Sequence, residues 1–332
     1  MPTRLVICDD SGMARKQIAR ALPPQWDLHV EFAADGREAL ELVRAGRVDV
    51  LLLDLTMPVM DGYETLQAFK AEGLAPKVIV VSGDVQPNAR KRVLELGALD
   101  FLKKPLDPAQ LEQALTRLGV NAAPVPEVRR DLALQVDFRD CYREVANVAM
   151  GQAADLLARL LDVFVILPVP NVNMLEAGEL QMALKSTEDY DTISAVCQGY
   201  IGSGIAGEAL LIFNDASFKD IARLMNFHGK LDATAELELL MDTANILIGA
   251  CLKGIADQLD IRFSQGHPTV LGRHCKVSDL LAANAGRWRE TLAIEINYRI
   301  EDYNINCDLL LLFTADSIQT FNGKIAHLLD AA

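Results

Sequence analysis

Two adjacent acids, Asp9 and Asp10, a single acid at Asp54, a hydroxyl at Ser82 and an ammonium at Lys104 form the set best suited to phosphoryl chemistry. Carboxylates gathered at one point bind Mg²⁺, a hard cation that takes a few oxygens and keeps some water. With a lysine beside it, such a cation neutralises a phosphoryl group arriving on a central carboxylate, here Asp54. A hydroxyl at Ser82 can hydrogen-bond the added oxygens and draw its loop inward. A lone Asp after a strand is an ordinary turn residue. An Asp pair, a central Asp, a Ser and a Lys-Pro, each ending a different strand, converge on a site.

The elements that must position them are short apolar runs. These are Leu5–Cys8, Leu28–Phe32, Val50–Leu53, Lys77–Val81 and Leu99–Leu102, separated by helix-like stretches over residues 4–118. Four of the five read as strands buried on both faces, the mark of a parallel sheet covered by helices. Five strand–helix alternations predict an α/β fold, a doubly wound five-stranded parallel sheet. Asp9, Asp10, Asp54, Ser82 and Lys104 then lie along its carboxyl edge.

The length of 332 residues suits two domains, and a hydrophobic content of 51% with 23% charged residues suits globular cores. The net charge of −14, most of its excess falling after residue 120, opposes nucleic-acid phosphate and anionic lipid alike. Six scattered cysteines form no C-x-x-C pair, Met1-Pro-Thr-Arg4 does not open a signal peptide, and the apolar run at 160–167 is too short to span a bilayer. The expectation is a cytoplasmic protein with no nucleic-acid or membrane partner.

Residues 121–130 carry two prolines and no periodic apolar face, so they read as a linker between a domain at 1–120 and another at 131–332. The second contains an internal repeat, about 137–227 and 235–330. Ala146-Asn147-Val148-Ala149-Met150-Gly151 recurs as Ala244-Asn245-Ile246-Leu247-Ile248-Gly249, and the same offset maps Pro170 onto Pro268. Each copy reads as a helix, a strand, then a β-hairpin ending in a short helix, giving one pseudo-symmetric α/β domain.

Residues 1–120 resemble a response-regulator receiver domain of the CheY type. The resemblance rests on Asp9-Asp10, Asp54 to Pro58, Met60-Asp61-Gly62, Ser82-Gly83 and Lys103-Lys104-Pro105. It implies phosphorylation of Asp54 by a sensor histidine kinase. It also implies Mg²⁺ held by Asp10, Asp54 and the backbone carbonyl of Thr56 with Asp9 nearby, and a switch pair of Ser82 and Phe101. Ser82 stands where Thr is commoner and Phe101 where Tyr is common; both still permit a switch. Side chains at Thr56 and Asp84 lie where they tune phosphate lifetime.

In the second domain, Asp140, Glu144, Asn147 and Gly151 form one helical stripe, expected on an open face. Val145, Val148, Ala149, Gln152 and Leu156 form another, expected to face a core. With Pro170 the string reads Asp-x₃-Glu-x₂-Asn-x₂₂-Pro, which resembles the signature of the CheC/CheX/FliY phosphatases of receiver domains. That resemblance implies Glu144 and Asn147 as catalytic residues: Glu144 docks on a receiver lysine such as Lys104, and Asn147 orients a water against the acyl phosphate. The second copy keeps the spacing as Glu238, Asp242, Asn245 and Pro268. Asp replaces Glu in it, so Asp242 and Asn245 form a weaker site.

Two readings stay open at this stage. One is a chemotaxis-type response regulator that hydrolyses phosphoaspartate on a receiver, in trans or on its own Asp54. The other is a non-catalytic, phosphorylation-dependent binding module resembling flagellar switch proteins. Expected partners are a histidine kinase, a phosphorylated receiver and, because receivers often pair, a second copy. A transcription factor is disfavoured by the acidic output region and the lack of a basic recognition helix.

Overall fold

The computed structural model describes residues 2–120, 136–175, 192–277, 279–280 and 291–331. The expected linker at 121–130 lies outside them. The chain forms two compact units, residues 1–148 with 327–332, and residues 149–326.

In the first unit, β1 (Thr3–Cys8), β2 (Leu28–Ala33), β3 (Val50–Leu53), β4 (Lys77–Ser82) and β5 (Asp100–Lys103) form an all-parallel sheet in the order β2-β1-β3-β4-β5. Alternation along the strands splits its core in two. Val6, Cys8, Leu51, Leu53, Val78 and Val80 face Leu40, Leu66, Phe69 and Val93 of the helices α2 (Gly36–Arg44), α3 (Gly62–Glu72) and α4 (Pro87–Glu95). Leu5, Ile7, Leu52, Ile79 and Val81 face Ile18, Leu22, Leu111 and Leu115, which belong to or adjoin α1 (Gly12–Ala21) and α5 (Pro108–Arg117). Three strands, not the expected four, carry fully buried runs, at Leu5–Cys8, Val50–Leu53 and Val78–Ser82. β5 closes one edge of the sheet, so Phe101 is only half-buried and Lys103 is exposed.

The switch in winding direction falls between β1 and β3, where an open parallel sheet leaves a crevice beyond the carboxyl ends of its strands. Asp9, Asp10 and Asp54 follow those two strands. Helix starts are fixed locally. Ser11 caps α1 through Ala14, and Asp61 and Glu64 form a reciprocal capping box at α3. Gly62 lets α3 approach the site: a Cβ there would lie 2.3 Å from the Asp54 carbonyl oxygen and 2.8 Å from Leu55 Cα.

A further helix, α6 (Phe138–Leu161), begins in the first unit, and the division between units falls within it. In the second unit β8 (Ile193–Gly202) and β9 (Ile205–Asn214) form one hairpin, and β12 (Thr291–Ile300) and β13 (Ile305–Thr314) another. The hairpins join antiparallel through β9 and β13. On the outer side of β12 lie β6 (Val165–Ile166) and β7 (Asn171–Leu175), and on that of β8 lie β10 (Ser264–Gln265) and β11 (Thr269–Cys275). The strand order thus reads alike from either edge. The short α7 (Phe218–Leu224) follows β9, whereas the helix after β13, α9 (Ala315–Ala331), is longer than the short one expected.

The remaining helix, α8 (Ala233–Leu259), buries Leu240, Leu247, Ile248, Leu252 and Ile255. Its Gly254 packs tightly on α6, since a Cβ there would lie 2.7 Å from Ala149 Cα. By length and composition α8 alone among the described residues is long and apolar enough to cross a membrane, yet 61% of that window is buried, as in a core helix. Leu156 of α6 does not join a core as expected. It is exposed, and Leu157 is buried in its place, because the apolar face runs Ala149, Ala153, Leu157.

Gly62→Ala is expected to destabilise the protein by about 1–3 kcal/mol, the usual cost of overpacking a tight site. Denaturant unfolding checks this, and an unchanged midpoint would contradict the close approach described.

Candidate functional site

The carboxyl edge of the first sheet gathers Asp9, Asp10 and Asp54, whose nearest ligand oxygens all lie within 4.8 Å of one another. Backbone and side-chain bonds fix two of them. The Ser11 N–H donates to Asp9 Oδ1 at 2.9 Å, and the Thr56 N–H donates to Asp54 Oδ2 at 3.0 Å. The opposite oxygens, Asp9 Oδ2 and Asp54 Oδ1, turn inward together with Asp10 Oδ2. All three are buried; the first two face the Lys104 ammonium, and Asp10 Oδ2 has no hydrogen-bond partner. Such atoms call for a cation.

Lys104 provides one positive charge from the end of β5. Its Nζ lies 2.7 Å from Asp9 Oδ2, 3.4 Å from Asp54 Oδ1 and 3.2 Å from Glu144 Oε1, and its side chain is 4% exposed. Burial works against the ammonium, but Asp54, Asp9 and Glu144 outweigh it and hold the lysine charged well above the usual lysine range. The acids carry the cost of that crowding. Burial, with repulsion from Asp9, pushes the Asp10 carboxyl up to about 6. Burial also lifts Glu144 to about 7 despite Lys104, and holds Asp54 well above the carboxylate range.

Ser82 is fully buried at the end of β4, and its Oγ accepts the Asp84 N–H at 3.1 Å. Phe101 is half-buried on β5, paired in register with Val80, and Ser82 pairs with Lys103. Asp84 in turn accepts from the Gln86 backbone and side chain, both at 3.1 Å, so the loop after β4 is tied down beside the site.

The first half of α6 completes the pocket: three of its side chains reach it, and the backbone of a fourth residue passes beside it. Asp140 accepts the Gly12 N–H at 3.1 Å and the Met13 N–H at 2.7 Å, bonding the first-turn donors of α1 that have no acceptor within the helix. Arg143 Nη1 lies 3.7 Å from Asp10 Oδ2. Glu144 meets Lys104, as above. Asn147 comes up beside the turn after Ser82, where Gly83 has no side chain; a Cβ there would lie 3.2 Å from the Asn147 carbonyl oxygen and 3.1 Å from Val148 Cα.

Sequence reasoning put Glu144 and Asn147 on an open face. They are instead 4% and 5% exposed, because the receiver pocket of the same unit covers them. One participant and one contact were missed. Arg143 gives no signal in a charged helix face, and the contact between Asp140 and the α1 amides depends on docking that no spacing reveals. Asp242 and Asn245 are not brought to this pocket. They lie exposed on α8 in the second unit, with Glu238.

Comparison with known proteins agrees with this geometry. The response regulator receiver domain family matches residues 5–116. Response regulator MprA of Mycolicibacterium vanbaalenii is 35% identical over 118 residues, covering 36% of this chain and 49% of that protein. The protein-glutamate methylesterase/protein-glutamine glutaminase of Moorella thermoacetica is 39% identical over 134 residues, covering 39% and 31%. Among solved structures, a chain of the CheX-CheY-BeF3-Mg+2 complex of Borrelia burgdorferi is 30% identical, with 36% of this chain and 92% of that chain covered and a TM-score of 0.34. The N-terminal part of this chain is a response regulator receiver domain. The chain spans less than half the length of these two curated relatives.

Burial makes Asp10, Glu144 and Asp54 hold protons more tightly than an unfolded chain would. Their contribution to stability is therefore complete below the ordinary carboxylate range and is lost as pH rises through about 6 and about 7. In metal-free buffer the thermal midpoint is expected to fall between pH 5 and pH 8. A midpoint that rises over this window would contradict the buried cluster.

Proposed function

We propose that the protein is a two-component response regulator phosphorylated on Asp54 by a histidine kinase, and that α6 hydrolyses the resulting phosphoaspartate through Glu144 and Asn147. The reading rests on the Lys104–Glu144 ion pair at 3.2 Å, which seats α6 in the phosphoacceptor pocket of its own unit. That seating favours hydrolysis in cis, on its own Asp54, over hydrolysis in trans.

Asp10, Asp54 and the Thr56 carbonyl, with Asp9 beside them, suit Mg²⁺: the set is all oxygen, its three carboxylates share one ammonium, and buried Asp10 Oδ2 has no hydrogen-bond donor. Bound there, Mg²⁺ supplies neutralisation of phosphoryl charge. The remaining work falls to the chain. Asp54 is the acceptor at the floor of the pocket. Lys104 holds positive charge against Asp54, and Ser82 offers its hydroxyl from the adjoining strand end. Glu144 fixes Lys104 and with it the register of α6. Asn147, whose backbone passes beside Gly83, carries a carboxamide able both to donate and to accept, which suits it to orient a water for in-line attack. No nucleophile from α6 is required, because an acyl phosphate is already activated.

The alike-from-both-edges strand order and the two long helices support a duplicated, CheC-like reading of the second unit. On that reading exposed Asp242 and Asn245 are a second, weaker pair, open to a receiver on another molecule. A non-catalytic clamp is the competing account, favoured by the deep burial of Glu144 and Asn147.

The deciding experiment labels the protein with a small acyl-phosphate donor and follows phosphate loss, with Asp54→Asn as the unlabelled control. Asn147→Ala and Glu144→Ala are each expected to lengthen phosphate lifetime by about tenfold or more, as loss of a positioning group does. Unchanged lifetimes in both would leave the clamp.

A further inference from the structure

The charges of the pocket do not balance. Asp9, Asp10, Asp54 and Glu144 meet one ammonium, and Lys104 pairs with Asp9, Asp54 and Glu144. Lys104 also acts on Asp10 through space, but the cation within ion-pair distance of it is Arg143. It arrives because it adjoins Glu144 in α6, and Asp140 on the turn before is bonded to the start of α1.

The contact has an unusual quality. At 3.7 Å it is too long for a hydrogen bond, and both Asp10 Oδ2 and Arg143 Nε are buried without hydrogen-bond partners. Arg143 thus gives Asp10 charge without using its lone pairs. A guanidinium with five donors ordinarily forks onto a carboxylate. Here the fork is not made, and the oxygen left open belongs to the acidic cluster.

We propose that Arg143 is a built-in counter-cation for Asp10, so that seating α6 and loading a divalent cation on Asp9, Asp10 and Asp54 oppose each other. The inference rests on the receiver-site reading of those three acids. Arg143 acts as a charge-matching and positioning residue. With the acids empty of metal, its charge lowers their mutual repulsion and favours the seated helix. A divalent cation brought to Asp10 faces a like charge, and the guanidinium, already 31% exposed, swings outward. The coupling is reciprocal, so metal loosens the seat by the factor by which the seat weakens metal. The helix is therefore held most firmly when the three acids carry no metal.

The test is calorimetric titration of Mg²⁺ into the full chain as wild type, Arg143→Gln, Arg143→Lys and Asp10→Asn. Arg143→Gln is expected to bind Mg²⁺ about tenfold more tightly than wild type, the Lys variant to stay within about threefold of wild type, and Asp10→Asn to bind far more weakly. Hydrogen exchange gives the reciprocal readout. Mg²⁺ should reduce protection of the Gly12 and Met13 amides in the wild type and leave it little changed in Arg143→Gln. Equal Mg²⁺ affinity in wild type and Arg143→Gln, with Asp10→Asn still weakened, would overturn the counter-cation and spare the receiver site. Mg²⁺ affinity indifferent to Asp10→Asn would overturn both.

Discussion

A buried ammonium shared by three carboxylates is the constraint from which the rest of this site follows. Lys104 alone cannot neutralise Asp9, Asp54 and Glu144, and water cannot do so where all four side chains are nearly closed to it. Removing charged groups from water costs several kcal/mol each unless partners restore the lost interactions. The pocket answers in three ways: acids that hold protons above their usual range, backbone N–H donors on Asp9 and Asp54, and a second cation from α6.

The fold supplies these groups without strain because each sits at the end of a rigid element. Three parallel strands with solid apolar cores on both faces fix Asp9, Asp54 and Ser82 relative to one another. Helix α6 adds Asp140, Arg143, Glu144 and Asn147 as one preformed row, since residues three and four apart share a helix face. A row has a single register, so anchoring Asp140 on the α1 amides dictates where the other three fall. Gly83 then matters as an absence of bulk, letting the α6 backbone approach the loop after Ser82.

The receiver half was legible from residues because its signals are local. Apolar runs of four or five residues lead into the site side chains, and the parallel topology puts those ends side by side. The strand count of the buried set was overstated, since Leu99–Leu102 looks as apolar as a central strand and nothing in four residues reveals an edge. In α6 the sequence showed which residues share a face but not what faces them. A carboxylate and a carboxamide pointing outward look solvated until a second surface covers them. Arg143 stayed invisible for the same reason: its partner, Asp10, lies 133 residues away and becomes a neighbour only through docking.

The pairing of Lys104 with Glu144 is open to direct measurement. Lys104→Met, Glu144→Gln and the double variant, unfolded by denaturant at pH 8 without divalent metal, isolate the interaction from the other partners of each residue. A buried pair that seats α6 requires a coupling of about 1–3 kcal/mol, the double variant being less destabilised than the sum of the singles. Effects that add to within about 0.3 kcal/mol would mean that the two side chains do not meet, and the account of a self-docked output helix would fail.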